Sequence, residues 1–204
     1  MKTKLLFAIA LLLIVQMTKA QTFGIKGGVN IANMTISAMG MSVSPSSITG
    51  FHIGVVGDFN VQGNLFLNTG LLYSLKGASF VGDKMTLNYL EVPINVAYKF
   101  PISTKSKFVV EAGPYLGYAL SGKDKSGGVS TNVEFGSGGM KRFDYGIGFG
   151  AGVEFGSLIA SLNYELGLAN LIDSSSLGLG SGADGKAKNK VFQISLAYMF
   201  GKGK

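Results

Sequence analysis

Eight segments of alternating apolar and small or polar residues follow the Ala20/Gln21 junction, and the connections between them run alternately long and short. Side chains on a strand change face with period two, so each segment offers one apolar face and one wet or crowded face. An even-stranded barrel crossing an outer membrane requires both features. It keeps tight turns on the periplasmic side and longer loops outside, and every strand shows an apolar face to lipid. The expectation is an all-β, eight-stranded antiparallel up-and-down transmembrane β-barrel over residues 21–204, preceded by a cleavable signal peptide at residues 1–20.

The clearest segment, 143–155, sets Phe143, Tyr145, Ile147, Phe149, Ala151, Val153 and Phe155 against Asp144, Gly146, Gly148, Gly150, Gly152 and Glu154. The same alternation runs through 23–31, 51–59, 65–75, 90–100, 108–120, 158–168 and 192–200, with the second face of 65–75 the least polar. No charged residue falls on the eight apolar faces. Aromatics gather towards their ends, at Phe59, Tyr98, Phe100, Phe155, Tyr198 and Phe200, as lipid-facing interfacial girdles require. Gly156-Ser157 reads as a two-residue hairpin turn that pairs Phe155 with Leu158, and Asn60 to Asn64 and Pro101 to Ser106 read as further tight turns. Ser-, Gly- and Lys-rich stretches at 32–48, 76–84, 121–141 and 170–189 are the long connections. Pro93 and Pro114 fall mid-strand, where each removes a ladder hydrogen bond, so a β-bulge or kink is expected where the fourth and fifth segments meet.

The first residues have the layout of an export signal: Lys2 and Lys4, an apolar core from Leu5 to Val15, then Thr18-Lys19-Ala20 before the cleavage point. The alternative is an uncleaved N-terminal anchor, but that core falls short of the roughly 20 apolar residues a spanning helix needs. Cleavage removes Lys2, Lys4 and Lys19 and lowers the formal charge from +7 to +4, a mild excess that points to no nucleic-acid partner. There is no Cys, which excludes disulfides, thiol chemistry and thiolate metal sites, and nothing in the sequence calls for a cofactor or metal. Charged residues make up 14% of the chain, against about 25% in a typical soluble domain. A soluble β-sandwich would carry more Lys, Glu and Thr on its solvated face, and a lipocalin-like barrel would be apolar inside and polar outside.

Several stretches are similar to the PorT-like family of outer-membrane β-barrels of Bacteroidetes-type bacteria. They are Phe23-Gly24-Ile25-Lys26-Gly27-Gly28-Val29-Asn30, Tyr89-Leu90-Glu91-Val92-Pro93, Glu111-Ala112-Gly113-Pro114-Tyr115 with Gly117-Tyr118, and Asp144-Tyr145-Gly146 with Gly150-Ala151-Gly152. The resemblance extends over the mature chain and implies an eight-stranded porin-like fold in a Gram-negative envelope. For some relatives it implies a part in protein secretion, which no residue motif here carries over.

The inward faces hold Asp58, Glu91, Glu111, Asp144, Glu154 and Glu165, with Lys26, Lys99 and His52 as inward cations. Buried charges must be paired or hydrated, so these nine form a lumen polar network. It reads either as a plug of salt bridges and waters in a narrow barrel or as the lining of a cation-selective passage. In the hairpin register Glu165 faces Gly148, and the inward glycines of 143–155 leave space for long polar side chains from other strands.

His52, the single His, invites a lipase-like reading, but the sequence sets no Ser or acid beside it, and a hydrated lumen histidine explains it without catalysis. Gly180 to Lys186 has phosphate-loop spacing but ends in Ala187 where Ser or Thr is required, and no helix follows the alternating glycines of 143–155 as a dinucleotide site needs.

The outer connections carry Lys76, Lys84, Lys123, Lys125, Lys141, Arg142, Lys186, Lys188 and Lys190 against Asp83, Asp124, Glu134, Asp173 and Asp184. This basic rim either meets glycolipid phosphates or is ordinary solvated loop charge. The final Tyr198-Met199-Phe200 resembles the aromatic terminal signal read by barrel-assembly machinery, although Gly-Lys-Gly-Lys follows it. The expected molecule is an integral protein of the cell outer membrane with both termini periplasmic, in contact with outer-membrane lipid and glycolipid. It is expected to be no enzyme but a structural or loop-presenting barrel with a mostly filled polar lumen; the alternative is a narrow porin-like channel for ions or very small solutes.

Overall fold

A strand that leaves a tight turn lies beside the one that entered it, so consecutive amphipathic segments pair antiparallel. The computed structural model describes residues 21–38, 41–80, 82–136, 139–172 and 185–201. The expected signal peptide, most of the 170–189 connection and most of the phosphate-loop mimic lie outside them.

Ten strands follow in order: β1 (Gln21–Ala38), β2 (Met41–Val43), β3 (Ile48–Gln62), β4 (Leu65–Phe80), β5 (Asp83–Pro101), β6 (Ser106–Ser126), β7 (Val129–Asn132), β8 (Phe143–Phe155), β9 (Leu158–Gly167) and β10 (Lys186–Met199). Eight form the ring, in the order β10-β9-β8-β6-β5-β4-β3-β1, and β10 closes it on β1 from Gly24↔Met199 to Ser37↔Lys186. The short strands β2 and β7 extend the ladders of β1 and β6. One end of the ring carries the short turns, including Gly63-Asn64 and Gly156-Ser157, whose glycines adopt φ of 55° and 57°. The other end carries the longer connections.

Alternation sorts the side chains. Outward residues such as Phe143 (69% exposed), Phe155 (62%), Ile53 (59%) and Leu196 (56%) form an apolar belt around the barrel, far larger than a soluble surface tolerates. Among the described residues no helix is long and apolar enough to cross a membrane. At the short-turn end the belt finishes in aromatic pairs: Phe23 against Phe59 at 5.8 Å, Tyr98 against Phe100 at 4.6 Å, and Tyr198 against Phe200 at 5.5 Å.

The strands outrun the sequence pattern towards the loop end. β1 reaches Ala38 rather than residue 31, β5 begins at Asp83 rather than 90, and β10 begins at Lys186 rather than 192. The 76–84 connection contracts to a turn, with Phe80 paired to Asp83. Apolar periodicity marks only the belt, whereas backbone pairing continues beyond it with polar outward side chains.

A bulge is present where the fourth and fifth segments meet, as expected, but it lies away from the prolines. Around Pro93 the β4–β5 pairs skip from Thr69↔Ile94 to Leu72↔Glu91, and the β5–β6 pairs skip from Pro93↔Tyr115 to Val96↔Ala112. The register is the same on both sides of each gap, so there is no bulge at the prolines. The Thr69 hydroxyl instead donates to the Pro93 carbonyl at 2.7 Å. The β5–β6 register shift lies nearer the loop end, between Asn88 and Tyr89, opposite Ala119 to Ser121. There inward burial moves from the odd positions Tyr115, Gly117 and Ala119 to the even Gly122. A bulge changes which face a strand presents.

Candidate functional site

The inward rows of eight strands converge on a narrow lumen, and the charged ones meet in layers. Nearest the short turns, Lys99 of β5 pairs with Asp58 of β3 and with Glu154 of β8 at 2.8 Å. Its ammonium lies 4.2 Å from the centre of the Phe66 ring. Lys107 adds a longer contact to Glu154 at 3.7 Å.

In the middle layer Glu111 accepts from the Asn163 amide at 2.6 Å and from the Asn68 amide at 3.0 Å, while the Ser161 hydroxyl donates to Asn163 Oδ1 at 3.0 Å. Here the lumen is least full. A cavity of about 70 Å³ is lined by Lys26, Asn68, Asn95, Lys99 and Glu111 among others, and a second of about 20 Å³ shares Lys26 and Asn95. These spaces suit a few waters. Among the described residues Lys26 makes no ion pair within 4.0 Å.

Above this layer sits Lys76, fully buried on β4. It pairs with Glu91, donates to Glu165 at 2.8 Å and lies 3.9 Å from Asp144. The Tyr115 ring sits 4.4 Å from the ammonium. Asn189 donates to Asp144 at 2.8 Å and Gln193 to Glu165 at 2.9 Å. One ammonium thus serves three buried carboxylates, and removing Lys76 would leave all three without a countercharge, at a cost of about 3–5 kcal/mol.

Lys76 is the residue the sequence reading misplaced, on the outer rim among the loop lysines. The signal was present: Phe66, Asn68, Gly70, Leu72 and Ser74 face inward, and period two carried past Leu75 puts Lys76 among them. Tyr89, Tyr115, Asn189 and Gln193 also belong to the network, and no charge marks them out in the sequence.

Beyond Lys76 the lumen turns apolar. Met34, Leu87, Tyr89, Ala119, Leu171 and Ala187 are buried together, with Ile36, Met85, Phe135 and Ile172 packed on them. The chain thus closes the loop end of its barrel with a hydrophobic cap.

His52 lies apart from the ion pairs, near the seam between the first and last strands. Asn30 donates through Nδ2 to Ser74 Oγ at 3.1 Å and to the Leu75 carbonyl at 3.0 Å. Its Oδ1 accepts from His52 Nδ1 at 2.7 Å, and His52 Nε2 accepts from the Ser195 hydroxyl at 2.9 Å. The fold therefore supplies the Ser partner that sequence proximity did not, from 143 residues away. The order Ser195–His52–Asn30 has the connectivity of nucleophile, base and orienting group. All three are buried at 5%, 1% and 0% exposure, and neither Ser195 nor His52 lines either of the two lumen cavities.

The expected lipid-facing aromatics Tyr98, Phe100, Phe155, Tyr198 and Phe200 are 42–62% exposed on the outer wall, and Phe59 is half-buried beside Phe23. Lys141 and Arg142 flank β8 at the loop end, and Lys190 stands on β10.

The family model for "Outer membrane protein beta-barrel domain" matches residues 18–173. Among curated proteins none matches the chain. Solved structures with a similar fold include OprG from Pseudomonas aeruginosa, at 12% identity over 89% of this chain and 97% of that one with a TM-score of 0.49. Neisserial surface protein A is similar at 12% identity over 89% and 100%, TM-score 0.47. Ail, the attachment invasion locus protein of Yersinia pestis, is similar at 15% identity over 88% and 98%, TM-score 0.45. The matched span takes in most of the ring, from β1 through β9, and with it the chain belongs to the outer membrane protein β-barrel domain family, whose members are integral to the outer membrane.

Proposed function

We propose that this small outer-membrane barrel is a closed, structural scaffold that presents its long connections outside the cell, with both termini in the periplasm. The single observation that carries the reading is the filled lumen. The Lys76 ion-pair cluster spans it, the apolar cap lies above, and the cavities below amount to about 70 and 20 Å³. An ion crossing that stack would have to shed its water against buried methyl and aromatic groups, which costs far more than thermal energy. The narrow-channel reading would need a continuous wet path past Leu87, Tyr89 and Leu171, and those side chains are fully buried against their neighbours.

The outward placement of the long connections follows the usual asymmetry of such barrels. Within the family we assign the chain to a PorT-like, Bacteroidetes-type group, on the order and spacing of the segment motifs around Lys26, Glu91, Glu111 and Asp144. The Ser195–His52–Asn30 chain supports a structural rather than catalytic role for the seam, because all three residues are buried and neither Ser195 nor His52 lines either lumen cavity.

The test is single-channel recording of the refolded protein in planar bilayers. Folded barrels are expected to be electrically silent. Steady, salt-dependent steps from barrels verified as folded would overturn the closed reading in favour of a channel.

A further inference from the structure

At the loop end of β8 the outer wall is not smooth. A groove of about 580 Å³ opens between the start of β8 and the segment beyond β9, and Lys141, Arg142, Phe143, Tyr145 and Asn170 line it. Its lip is tied down by backbone bonds, from Lys141 N–H to the Leu171 carbonyl at 2.8 Å and from Met140 N–H to the Glu134 carbonyl at 2.9 Å. The floor is apolar and outward-facing, with Phe143 69% and Tyr145 51% exposed, and it continues the lipid-contacting belt. The upper edge is cationic, and among the described residues no acidic side chain lines the groove.

Arg142 is the telling residue. Its Nη1 donates to the Ala119 carbonyl at 2.8 Å, and its guanidinium lies 4.4 Å from the Phe135 ring centre and 5.8 Å from that of Tyr118. The side chain is therefore held in place and half-buried, yet among the described residues neither Arg142 nor Lys141 makes an ion pair within 4.0 Å. A fixed guanidinium with N–H groups to spare and no counterion among the described residues is suited to bidentate recognition of a phosphate. The Tyr118–Phe143 pair, 5.1 Å apart, marks the level where aromatic belts meet headgroups, and the two cations stand just beyond it.

We infer that the groove is a binding site for a phosphorylated glycolipid of the outer leaflet. An acyl chain would lie along Phe143 and Tyr145, and a headgroup phosphate would be held between Arg142 and Lys141. The site rests on the reading that the long connections face outward, because that places it in the leaflet that carries such lipids. Two features favour this occupant over a second copy of the chain: the unpaired cations would repel their own kind, and the apolar floor is continuous with surface that lipid already covers.

The test uses the full barrel reconstituted in phosphatidylcholine vesicles doped with a bis-phosphorylated polyacyl glucosamine glycolipid, or with the same lipid after dephosphorylation. Lipid retained on the detergent-extracted protein is then counted by native mass spectrometry. The wild type is expected to retain the phosphorylated form selectively. Lys141→Glu, a charge reversal at an exposed side chain that leaves the fold untouched, is expected to weaken retention about tenfold, the equivalent of roughly 1.4 kcal/mol. Arg142→Gln, which keeps an amide donor for the Ala119 carbonyl, is expected to weaken it at least as much, and Lys84→Glu to leave it unchanged.

Equal retention of the dephosphorylated lipid would overturn the inference, as would retention unaffected by Lys141→Glu or dimers seen in place of bound lipid. Because both leaflets of the vesicles carry the glycolipid, this result does not depend on orientation. Orientation is read separately, by labelling Ser130→Cys in intact cells with a membrane-impermeant maleimide. Failure to label would remove the outward-loop reading without touching the vesicle result.

Discussion

An ammonium deprived of water is tolerated only where carboxylates replace its hydration shell, and Lys76 meets that condition among Glu91, Glu165 and Asp144. Lys76→Met keeps the length of the side chain and removes its charge, leaving three buried acids to face one another. The folded barrel is expected to lose about 3–5 kcal/mol, read as a lower urea midpoint in lipid vesicles. The position of Lys76 could have been taken from its parity. Its partners could not, because Lys76 and Glu165 are 89 residues apart and only the closed ring brings their strands to opposite walls. The same limit hid Ser195 from His52. Period two tells which face a side chain occupies and is silent on what stands across the lumen.

Strand β8 shows how much one element can conceal behind a simple pattern. Its inward row Gly146, Gly148, Gly150 and Gly152 reads from sequence as uniform space for other side chains, and the pairing Gly148↔Glu165 follows from the hairpin register. The four positions differ. A Cβ at Gly148 would meet nothing closer than 3.8 Å, whereas one at Gly150 would press on the Asn163 amide and come within 2.9 Å of Glu111 Cγ. Gly148→Ala is expected to be near neutral. Gly150→Ala is expected to split the Glu111–Asn163 bond and cost about 1–3 kcal/mol, both measured by denaturant unfolding of the reconstituted barrel. The proline strands β5 and β6 teach a related lesson. Sequence located the missing donors at Pro93 and Pro114, but the Thr69 hydroxyl that bonds the Pro93 carbonyl comes from β4, and the bulge sits where no proline signals it.

For the whole molecule the architecture was the most legible part, since eight apolar faces and two kinds of connection leave few other folds. The extent of the strands and the apolar cap were not, because beyond the belt lipid no longer enforces an apolar outer face and the alternation fades. Phe200, 54% exposed beside Tyr198, follows the last strand directly and bonds through its N–H to the Phe23 carbonyl at 2.6 Å. Phe200→Asp is expected to lower the folded, membrane-inserted fraction several-fold, as assayed by heat-modifiable mobility of outer-membrane fractions. Wild-type levels would exclude a terminal assembly signal there. The closing seam carries a further consequence. Gly24 and Met199 are partners at opposite ends of the chain, so closure is the contact of greatest sequence separation and the step that waits on all the others. A slip of two residues along that seam would leave every lipid-facing side chain on the correct face, and lipid would scarcely register the error. It would part Ser195 from His52 and strand both in a dry interior. The polar chain at the seam thus distinguishes the native register from that slip, which hydrophobicity alone does not.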